Sequence, residues 1–559
     1  MRSLLGLLGF SMLAVTTAAC GDTSSTCDEL GTNCGGAGGA SGDSGTGGTS
    51  GSGGTAGTSG TGGQGGEAGT AGAGGDGGTC DITKSPSEES CLIAEEYGIF
   101  VSPSGSDATG DGTEAKPYGT LSKAVSEAAS SAKNVYACDD GSGYTEAAPL
   151  NLSGLSGHGI YGGFDCGTWQ YTTSAKAKLT GASTALSITG TTAGLRVEDF
   201  QVMAADGGAG ESSIGALVAS ASGVELRRVE LVAGKGGDGA AGGNGTKGAN
   251  GASPSTAPAC ATTAPGQAGC DAECGLALTP QQTHLGGAWP AASGCGSKGG
   301  QGGTATQGAS GGPGNPGTPQ TNVTPPNVDN SGSGSGTIGA NGQSGGDGSN
   351  GNPGTLASSA PATGVFSGTG FAPANGTAGT DGHAGQGGGG GGASAASLGT
   401  CIGASGGAGG MGGCGGTKGT GGGGGGASVA LLAWQSAVTL ENVTLTASAG
   451  GKGGKGGNAG EGGSGGSGAP GGASGTGMGK GGSGGDGGTG GVGGSGSGGS
   501  GGPSYALVWS GTKPIEAGTV TKTAGSGGTK GAGGSVSGVG VNPAPDGTDG
   551  ASGEEHEAP

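Results

Sequence analysis

Residues 216–233 read ALVASASGVELRRVELVA, and residues 430–447 repeat the pattern as ALLAWQSAVTLENVTLTA. In both stretches apolar and polar residues alternate over short runs broken by two residues, which is typical of half-buried β-strands. A weaker copy, LRVEDFQVMA, occupies 195–204, and a degenerate one occupies 506–524. Repeated short strand units predict an all-β fold in which successive units stack on one another.

Each of these units ends in alanine, and a glycine-rich stretch follows at once. The four closing residues are Ala204, Ala233, Ala447 and Ala524. The insertions should therefore leave the stack at one common corner and project on the same side. A repetitive fold tolerates this, because the entropy lost on closing a loop grows only logarithmically with its length.

Glycine supplies 158 of the 559 residues, whereas the aromatic residues are limited to six Phe, seven Tyr and four Trp. Glycine brings no side chain to a core and loses the most conformational freedom on folding, so a single large globular domain is excluded. Glycine also recurs at every third position over 236–251, 336–354, 376–391, 451–466 and 481–502. This composition predicts low-complexity, disordered loops. The shared period leaves open a packed array of extended glycine strands.

The first twenty residues, MRSLLGLLGFSMLAVTTAAC, resemble the signal peptide and lipobox of bacterial lipoproteins. Arg2 provides the positive start, a short apolar run follows, and Ala18-Ala19 are the small residues before a cut. Thr17 departs from the leucine usual in that family. The resemblance implies cleavage before Cys20 and a diacylglycerol thioether on its sulfur. We therefore expect an exported protein, lipid-anchored to the cell envelope at the outer membrane or cell surface.

A glycine occupies every third position from Gly36 to Gly78, with no proline to favour a collagen helix, so this stretch is interpreted as a flexible tether. The interior as a whole is similar to glycine-rich proteins of the PGRS type. The predicted organisation is a signal peptide (1–19), a lipidated N-terminus with a Cys pair (20–35), the tether (36–79), an N-terminal β-helix part with a capping helix (80–233), a glycine-rich insertion (234–427), a β-helix rung (428–447), a second insertion (448–503), a last rung (504–524) and a glycine-rich acidic tail (525–559).

Apart from Cys20, the chain has twelve cysteines, an even number that reads as disulfides in an exported protein. Local spacing suggests Cys27–Cys34, Cys80–Cys91, Cys138–Cys166 and Cys401–Cys414. Two further bonds are expected among Cys260, Cys270, Cys274 and Cys295, with their connectivity open. A zinc site in that last group is the alternative, but histidine is absent at ligand spacing, so we expect no metal and no cofactor.

Residues 99–128, IFVSPSGSDATGDGTEAKPYGTLSKAVSEA, resemble a module that opens many exported bacterial proteins of the right-handed parallel β-helix (pectin-lyase-like) type. The matching positions are Val101-Ser102, Gly105-Ser106-Asp107, Gly112-Thr113, Pro117-Tyr118, Thr120-Leu121 and Ala124. Within it, Thr120 is placed to cap a helix whose Leu121, Ala124, Val125 and Ala128 share one face. The expected fold is therefore a short right-handed parallel β-helix, with this helix covering its open end and long glycine-rich loops interrupting it.

The sequence contains only weak indications of a catalytic site. His158, His284, His383 and His556 lie in turn-like or glycine-rich settings without a nucleophile nearby in sequence. Some pectin-lyase-like proteins cleave acidic polysaccharides with carboxylates and an Arg or Lys base. Here Glu225, Arg227, Arg228 and Glu230 face outward on one rung, but Thr439, Glu441, Asn442 and Thr444 replace them on the next. Cross-strand ion pairing is the plainer interpretation.

Two other groups could bind a ligand. Tyr161, Phe164, Trp169 and Tyr171 could stack on a sugar, but the more ordinary explanation, which we expect, is that they fill the first rung beside Cys138–Cys166. Asp107 and Asp111 could hold Ca²⁺, although Asx-turns account for both.

The net charge of −20 comes from dispersed acids, which argues against nucleic-acid binding. The sequence thus predicts a non-enzymatic surface or envelope lipoprotein with a structural or interaction role. Its partners would be the membrane, through lipid on Cys20, and envelope glycans or other surface proteins. The alternative is a carbohydrate-binding or polysaccharide-cleaving pectin-lyase-like protein.

Overall fold

A computed structural model of the chain describes residues 80–559 apart from 192, 261–265, 291–293 and 537–542. The predicted signal peptide, the lipidation site Cys20, the pair Cys27–Cys34 and the tether lie outside the described residues. The described part is built mainly of parallel strands and includes one α-helix, α1 (Leu121–Ser131), with short 3₁₀ helices at Ser90–Leu92 and Ser153–Leu155. None of the described helices has both the length and the apolar character needed to span a bilayer.

Three parallel sheets form the folded body. The first contains β1 (Gly98–Val101), β2 (Asn134–Cys138), β5 (Gly159–Phe164), β8 (Leu195–Glu198), β11 (Val224–Arg227), β22 (Val438–Glu441) and β25 (Ile515–Ala517), in that order. The second contains β3 (Tyr144–Thr145), β6 (Ala177–Gly181), β9 (Phe200–Ala204), β12 (Glu230–Val232), β23 (Thr444–Thr446) and β26 (Thr521–Thr523). The third contains β4 (Leu150–Asn151), β7 (Thr184–Thr189), β10 (Ser213–Ala219), β21 (Ser428–Trp434), β24 (Ser504–Ser510) and β27 (Ser552–Glu557).

From β2 onward the chain visits the three sheets in the same order on every pass, so that each pass adds one strand to each sheet; β1, which precedes α1, is an extra strand of the first sheet. Leu195, Val224 and Val438 lie in register on adjacent strands of the first sheet and are buried. Full burial of such an aliphatic side chain contributes about 1.5–3 kcal/mol. The continuous column of apolar side chains between the sheets is the main core.

The predicted capping helix is confirmed. The Thr120 hydroxyl accepts a hydrogen bond from the Lys123 N–H (3.2 Å), and the buried face of α1 is Leu121, Ala124, Val125 and Ala128. The loop before it is fixed by Asp107, whose carboxylate accepts from the N–H groups of Gly119 (2.8 Å) and Thr120 (3.0 Å) and from the Thr120 hydroxyl (2.7 Å). These bonds attach the loop to the start of α1.

Four strands of the first two passes, β3, β4, β6 and β7, have no counterpart in the sequence prediction. The expected acidic tail also differs, because residues 552–557 return to the third sheet as β27, parallel to β24. Lys513 and Lys522 both donate to Glu555 on β27. Pairing with β24 and these ion pairs hold a strand that has too few apolar residues to be recognised by periodicity.

Glycine-rich segments connect the end of each later strand of the second sheet to a strand of the third. This is the single corner that the shared alanine endings predict. Short antiparallel pairs lie within the longest segment: β13 (Glu273–Cys274) with β20 (Cys401–Ile402), β14 (Thr283–His284) with β15 (Ala305–Thr306), β16 (Val323–Thr324) with β17 (Asn350–Gly351), and β18 (Val365–Ser367) with β19 (Gly370–Ala372).

The expectation that these segments are disordered is wrong for the described residues. Extended strands from the described parts of 234–427, 448–503 and 525–559 are joined side by side by backbone hydrogen bonds, and we call this array the glycine lattice. From Gly236 to Gly251, every third N–H donates to the segment 449–464 at 2.7–3.0 Å. An extended chain with three residues per turn directs consecutive peptide groups toward different neighbours. Thus Gly409, Gly410 and Met411 donate to three different strands, at Gly300, Gly485 and Ala252.

Close approach of the strands explains the glycine pattern. A Cβ on Gly410 would lie 1.9 Å from the Gly466 carbonyl oxygen. In the run 387–392, all six positions are glycine, and a Cβ at any of them would come within 2.1 Å of a backbone oxygen on a neighbouring strand. Strands surrounded on all sides therefore need glycine at every position, whereas strands at the margin need it only at every third.

Side chains on the lattice margin bond across to the next strand. Asp238, Asn244 and Asn250 accept from the N–H groups of Lys452, Asn458 and Ser464, at 2.7, 2.9 and 3.0 Å. The same contact recurs from Asn341, Asp347 and Asn350 to Lys480, Asp486 and Thr489. Backbone donors that lack a carbonyl partner are thereby satisfied within the lattice.

Four disulfides are present in the described residues. Cys80–Cys91 and Cys138–Cys166 are bonded as the local spacing suggested. The expected Cys401–Cys414 bond is wrong: Cys401 joins Cys274 and Cys414 joins Cys295. Cys401 and Cys414 lie on one extended strand, where thirteen residues at about 3.1 Å each separate them by about 40 Å. Cys260 and Cys270, expected in disulfides, carry free thiols.

The lattice gives a direct test. Gly410→Ala should lower the free energy of unfolding by about 1–3 kcal/mol, because the added methyl group overlaps a backbone oxygen that hydrogen bonds hold in place. Gly336→Ala is the matched control, since its Cβ would meet no atom within 4 Å. The control should leave stability unchanged or raise it slightly. Equal stability of the two variants in denaturant titrations would contradict the close packing.

A second test concerns Asp107. Burial alone would raise the pKa of Asp107, but hydrogen bonds from Thr120 and Gly119 outweigh it and hold the pKa below the ordinary value. Asp107→Ala should cost about 1–2 kcal/mol of unfolding free energy at neutral pH. A carboxylate with a depressed folded-state pKa stabilises above its unfolded pKa of about 3.9, and that contribution is lost as the pH falls further.

The stability difference between the wild type and Asp107→Ala should therefore shrink when unfolding is measured near pH 3. Asp111→Ala is the control, because the hydrogen bonds of Asp111 stay within its own turn, to Thr113. A difference for Asp107→Ala that stays the same at both pH values would overturn this assignment.

Candidate functional site

The outward corner between the first and second sheets carries a charged cluster. Asp199, Arg228 and Asn442 occupy this corner on successive passes, each with a positive φ of 53–58° that turns the chain between the sheets. The Arg228 guanidinium donates to Asp199 (2.7 Å) and to Glu198 (2.8 Å). The stacking of passes thus brings together residues that are about 30 positions apart in sequence.

Tyr171 completes this cluster. Its hydroxyl makes a short hydrogen bond to Asp199 and accepts from Arg228 at 2.9 Å. Both carboxylates, Glu198 and Asp199, are fully buried. Burial raises the pKa of Glu198, and the two neighbouring arginines, Arg228 and Arg227, only partly oppose it. Burial and the bond to Asp199 also raise the pKa of Tyr171, so its phenol stays protonated at neutral pH.

The predicted outward residues make the cross-strand contacts expected of a paired, solvated face. Glu225 accepts from Arg196 at 2.9 Å, and Glu230 accepts from the Gln201 amide at 2.9 Å. Arg227 reaches Glu88 (2.9 Å) and Glu441 (3.3 Å). Thr439 and Thr444 occupy the register positions opposite Glu225 and Glu230. These outward charged side chains are thus engaged in ion pairs and hydrogen bonds with neighbouring side chains.

The aromatic residues form a second core, and this corrects the expectation that they fill the first rung. Tyr161, Phe164 and Trp169 pack with Phe100 and Tyr136 in a cluster separate from the main core. On β1 and β2 the neighbours of these rings, such as Ile99 and Val135, point into the main core instead, so the aromatic rings cover the opposite face of the first sheet. The Cys138–Cys166 disulfide staples this cluster.

A polar cleft of about 650 Å³ borders this aromatic cluster. Ser102, Ser104 and Thr109 line it together with Glu114, and Trp169 closes one side. Trp169 is only 8 % exposed, and its indole N–H donates to the Glu114 carbonyl at 3.3 Å. The cleft offers hydroxyl groups to a ligand, while the buried Trp169 ring offers little accessible surface for stacking.

The four histidines are scattered. The ring of His556 stacks on Tyr505 with centroids 4.7 Å apart, and burial lowers the pKa of His556. His284 contacts the Glu273 carboxylate at 3.3 Å, and the His158 carbonyl accepts from the Arg196 N–H. His383 lies on a lattice strand. Across the ranges that the structure describes, groups of three or more His, Cys, Asp or Glu with a metal-binding arrangement were not found.

The far end of the glycine lattice is the other prominent surface. We call the described residues of 252–310 (252–260, 266–290 and 294–310), together with 395–402 and 469–480, the lattice tip. At about 3.1 Å per residue, the strand from Ala449 to Pro470 spans about 65 Å between the sheets and the tip. Four of the nine large apolar side chains that remain exposed in the described residues lie here, namely Leu278, Leu285, Trp289 and Leu398.

Gln307 joins three segments of the tip by hydrogen bonds. It is buried, accepts from the Gln282 N–H at 2.9 Å, and donates to the carbonyls of Ala277 and Gly399, both at 3.0 Å. The Cys274–Cys401 disulfide joins the same segments. Sequence reasoning missed this surface, because its parts are brought together only by the lattice. The break in the three-residue glycine period around 252–300 is the signal that could have indicated it.

Comparison with known protein families, curated proteins and solved structures finds no match to this chain. Its function is therefore inferred from the chain itself.

Removing the central arginine tests the charged cluster. Arg228→Ala should destabilise the fold by about 3–5 kcal/mol, because Asp199 and Glu198 would remain buried without their counter-charge. Lys247→Ala is the control: its ion pair with Glu461 is more than half exposed on both sides and should contribute at most about 1 kcal/mol. Unfolding titrations that gave similar losses for both variants would show that the buried cluster is not a structural element.

Proposed function

We propose that this chain is an exported, lipid-anchored envelope protein with a structural or adhesive role and no catalytic activity. In this proposal the three sheets form a short right-handed parallel β-helix, and Cys20 carries the lipid. The tether at 36–79 separates the folded body from the membrane surface. The glycine lattice extends from one corner of the β-helix as a display element.

The observation that carries this proposal is the hydrogen-bonded order of the glycine-rich segments. A lattice about 65 Å long, nearly free of large side chains, fits the geometry of a stiff projecting spacer. Its margin side chains are bonded within the lattice, while its tip exposes apolar groups. Exposed apolar clusters on a soluble surface commonly mark interaction sites.

The charged cluster supports the non-catalytic part of the proposal. A general base needs a carboxylate or basic group that can reach a substrate. Here Glu198 and Asp199 are buried, and Arg228 is held between them. The hydrogen bonds and ion pairs of this cluster join successive turns between the first and second sheets, which is a structural role.

The alternative function, carbohydrate binding or cleavage, has the polar cleft beside Trp169 in its favour. Hydroxyl groups of Ser102, Ser104 and Thr109 could bond a sugar there. A panel of acidic and neutral polysaccharides, tested with and without Ca²⁺ against the purified chain, separates the two functions. Release of shorter products would overturn the non-enzymatic proposal, whereas binding without cleavage would assign the cleft a glycan-binding role.

The anchor has its own test. The full-length chain, expressed in a bacterial host that processes lipoproteins, should sediment with membranes and yield a mature N-terminal peptide that begins at diacylglycerol-modified Cys20. Cys20→Ser should release the chain from the membrane fraction and leave its resistance to proteolysis unchanged, because Cys20 is remote from the folded body in sequence. Mass spectrometry that found Cys20 unmodified in the wild-type chain would remove the anchor from the proposal.

A further inference from the structure

Two thiols at the lattice tip stand apart from the other cysteines. Cys260 and Cys270 are free, whereas the remaining cysteines in the described ranges are joined in disulfides. Cys260 is exposed, and Cys270 is completely buried. The pair thus combines an accessible sulfur with a protected one.

The backbone holds these two residues beside each other. The Ala259 N–H donates to the Ala268 carbonyl at 2.8 Å, and the Ala268 N–H donates to Ala257 at 2.9 Å. These bonds pair the two limbs on which the cysteines lie, and the Cys260 side chain comes within hydrogen-bonding reach of the Cys270 thiol. The parallel bridge between Pro258 and Ala268 continues to Cys260 and Cys270, which stand two residues further along each limb and therefore lie opposite one another in register.

Cys270 is fixed in the lattice itself. Its N–H donates to the Ser405 hydroxyl at 2.8 Å, and its carbonyl accepts from the Ser405 N–H at 3.0 Å. Burial, together with the neighbouring Cys260 thiol, raises the pKa of Cys270 to about 12. Cys270 is accordingly a poor nucleophile toward reagents in solution, because the thiolate is the reactive form.

Cys260 opens onto a cleft of about 890 Å³ at the tip. Asp271, Glu273 and His284 line this cleft, and so does the exposed side chain of Leu285. A disulfide-containing molecule can enter there and meet the Cys260 sulfur, while Cys270 lies behind it. Access from solution is thus confined to one member of the pair.

We propose that Cys260 and Cys270 form a dithiol site that is oxidised by thiol–disulfide exchange. Cys260 gives up its proton and attacks an external disulfide, R–S–S–R; this forms a Cys260–S–S–R bond and releases one RS⁻, which takes up that proton. Cys270 then attacks the Cys260 sulfur and loses its own proton; the Cys260–Cys270 bond forms and the second RSH leaves. The two protein thiols are oxidised by two electrons, and the external disulfide is reduced to two thiols.

The product disulfide would tie the exposed turn at Cys260 to the lattice strand at Cys270. It would fix one wall of the tip cleft, so the oxidation state of this pair controls how freely the cleft can change shape. The part of the proposal that concerns the cell rests on the proposed export, because an oxidising compartment supplies disulfide oxidants. The exchange chemistry itself rests only on the geometry of the folded chain.

The test uses the purified full-length chain with its four structural disulfides formed and the Cys260–Cys270 pair opened by a limited amount of mild reductant, with glutathione disulfide as the oxidant. We expect glutathione to attach first at Cys260 and then to be displaced, leaving a Cys260–Cys270 disulfide in peptide mapping without reduction. In Cys270→Ser the reaction should stop at a stable glutathione adduct on Cys260. In Cys260→Ser the buried Cys270 should not react while the chain is folded.

Alkylation of the folded, reduced wild-type chain provides a measurement that needs no variant. Cys260 should react at least about tenfold faster than Cys270 with a small maleimide, as expected from the difference in access and thiolate content. Comparable alkylation rates at both residues would overturn the proposal. In the glutathione experiment, two results would also overturn it: a wild-type adduct that persists as long as the adduct of Cys270→Ser, or a disulfide-linked dimer formed through Cys260.

The same mapping on protein recovered from the cell envelope separates this proposal from the proposed localisation. Exchange in the purified chain together with an unlipidated Cys20 would retain the dithiol site and remove the anchor. A lipidated Cys20 with no exchange at Cys260 would retain the anchor and overturn the dithiol site.

Discussion

Close contact between backbones is the constraint on which most of this molecule depends. In the glycine lattice a carbonyl oxygen of one strand lies close to the place where a Cβ atom of the neighbouring strand would be. A Cβ on Gly410, for example, would lie 1.9 Å from the Gly466 carbonyl oxygen. Such contact is possible only for glycine, and it lets consecutive peptide groups bond to different strands. The lattice thereby replaces the side-chain packing of an ordinary core with backbone hydrogen bonds. The number of glycines in each group of three residues then reflects how many sides of a strand are in contact with neighbouring strands.

The sheets provide the register in which this lattice starts. On the last strand pair before the insertions, the Ala233 N–H donates to the Thr446 carbonyl, and the next donors, Gly236 and Gly239, continue to Ala449 and Lys452. The pairing therefore passes from sheet to lattice without a shift. β12 and β23 are already held side by side in the sheet. Pairing the two long glycine strands that follow them therefore requires a much smaller further loss of chain entropy. An isolated glycine segment lacks this template, which is why composition alone predicted disorder.

Sequence reasoning succeeded where a local rule applies. The cap at Thr120, the buried face of α1 and the strand units at 216–233 and 430–447 follow from spacing within short windows. It failed where partners are distant: Tyr171 meets Asp199 and Arg228 only because passes stack, and Cys295 meets Cys414 only because lattice strands lie side by side. The polar strand β27 has no apolar period to detect. The uninterrupted glycine runs, such as 387–392, were a usable signal of fully surrounded strands.

The distribution of side chains also bears on where specificity can reside. A lattice interior of glycine offers a partner only backbone groups that are already bonded, and its margin places Asp and Asn where their oxygens are bonded to the adjacent strand. The corner cluster around Arg228 is similarly satisfied from within. The tip differs, because Leu278, Leu398 and Trp289 remain exposed there. In the interaction role proposed above, side chains that could contact a partner are available where the three-residue glycine period stops, and the tip is one such interruption.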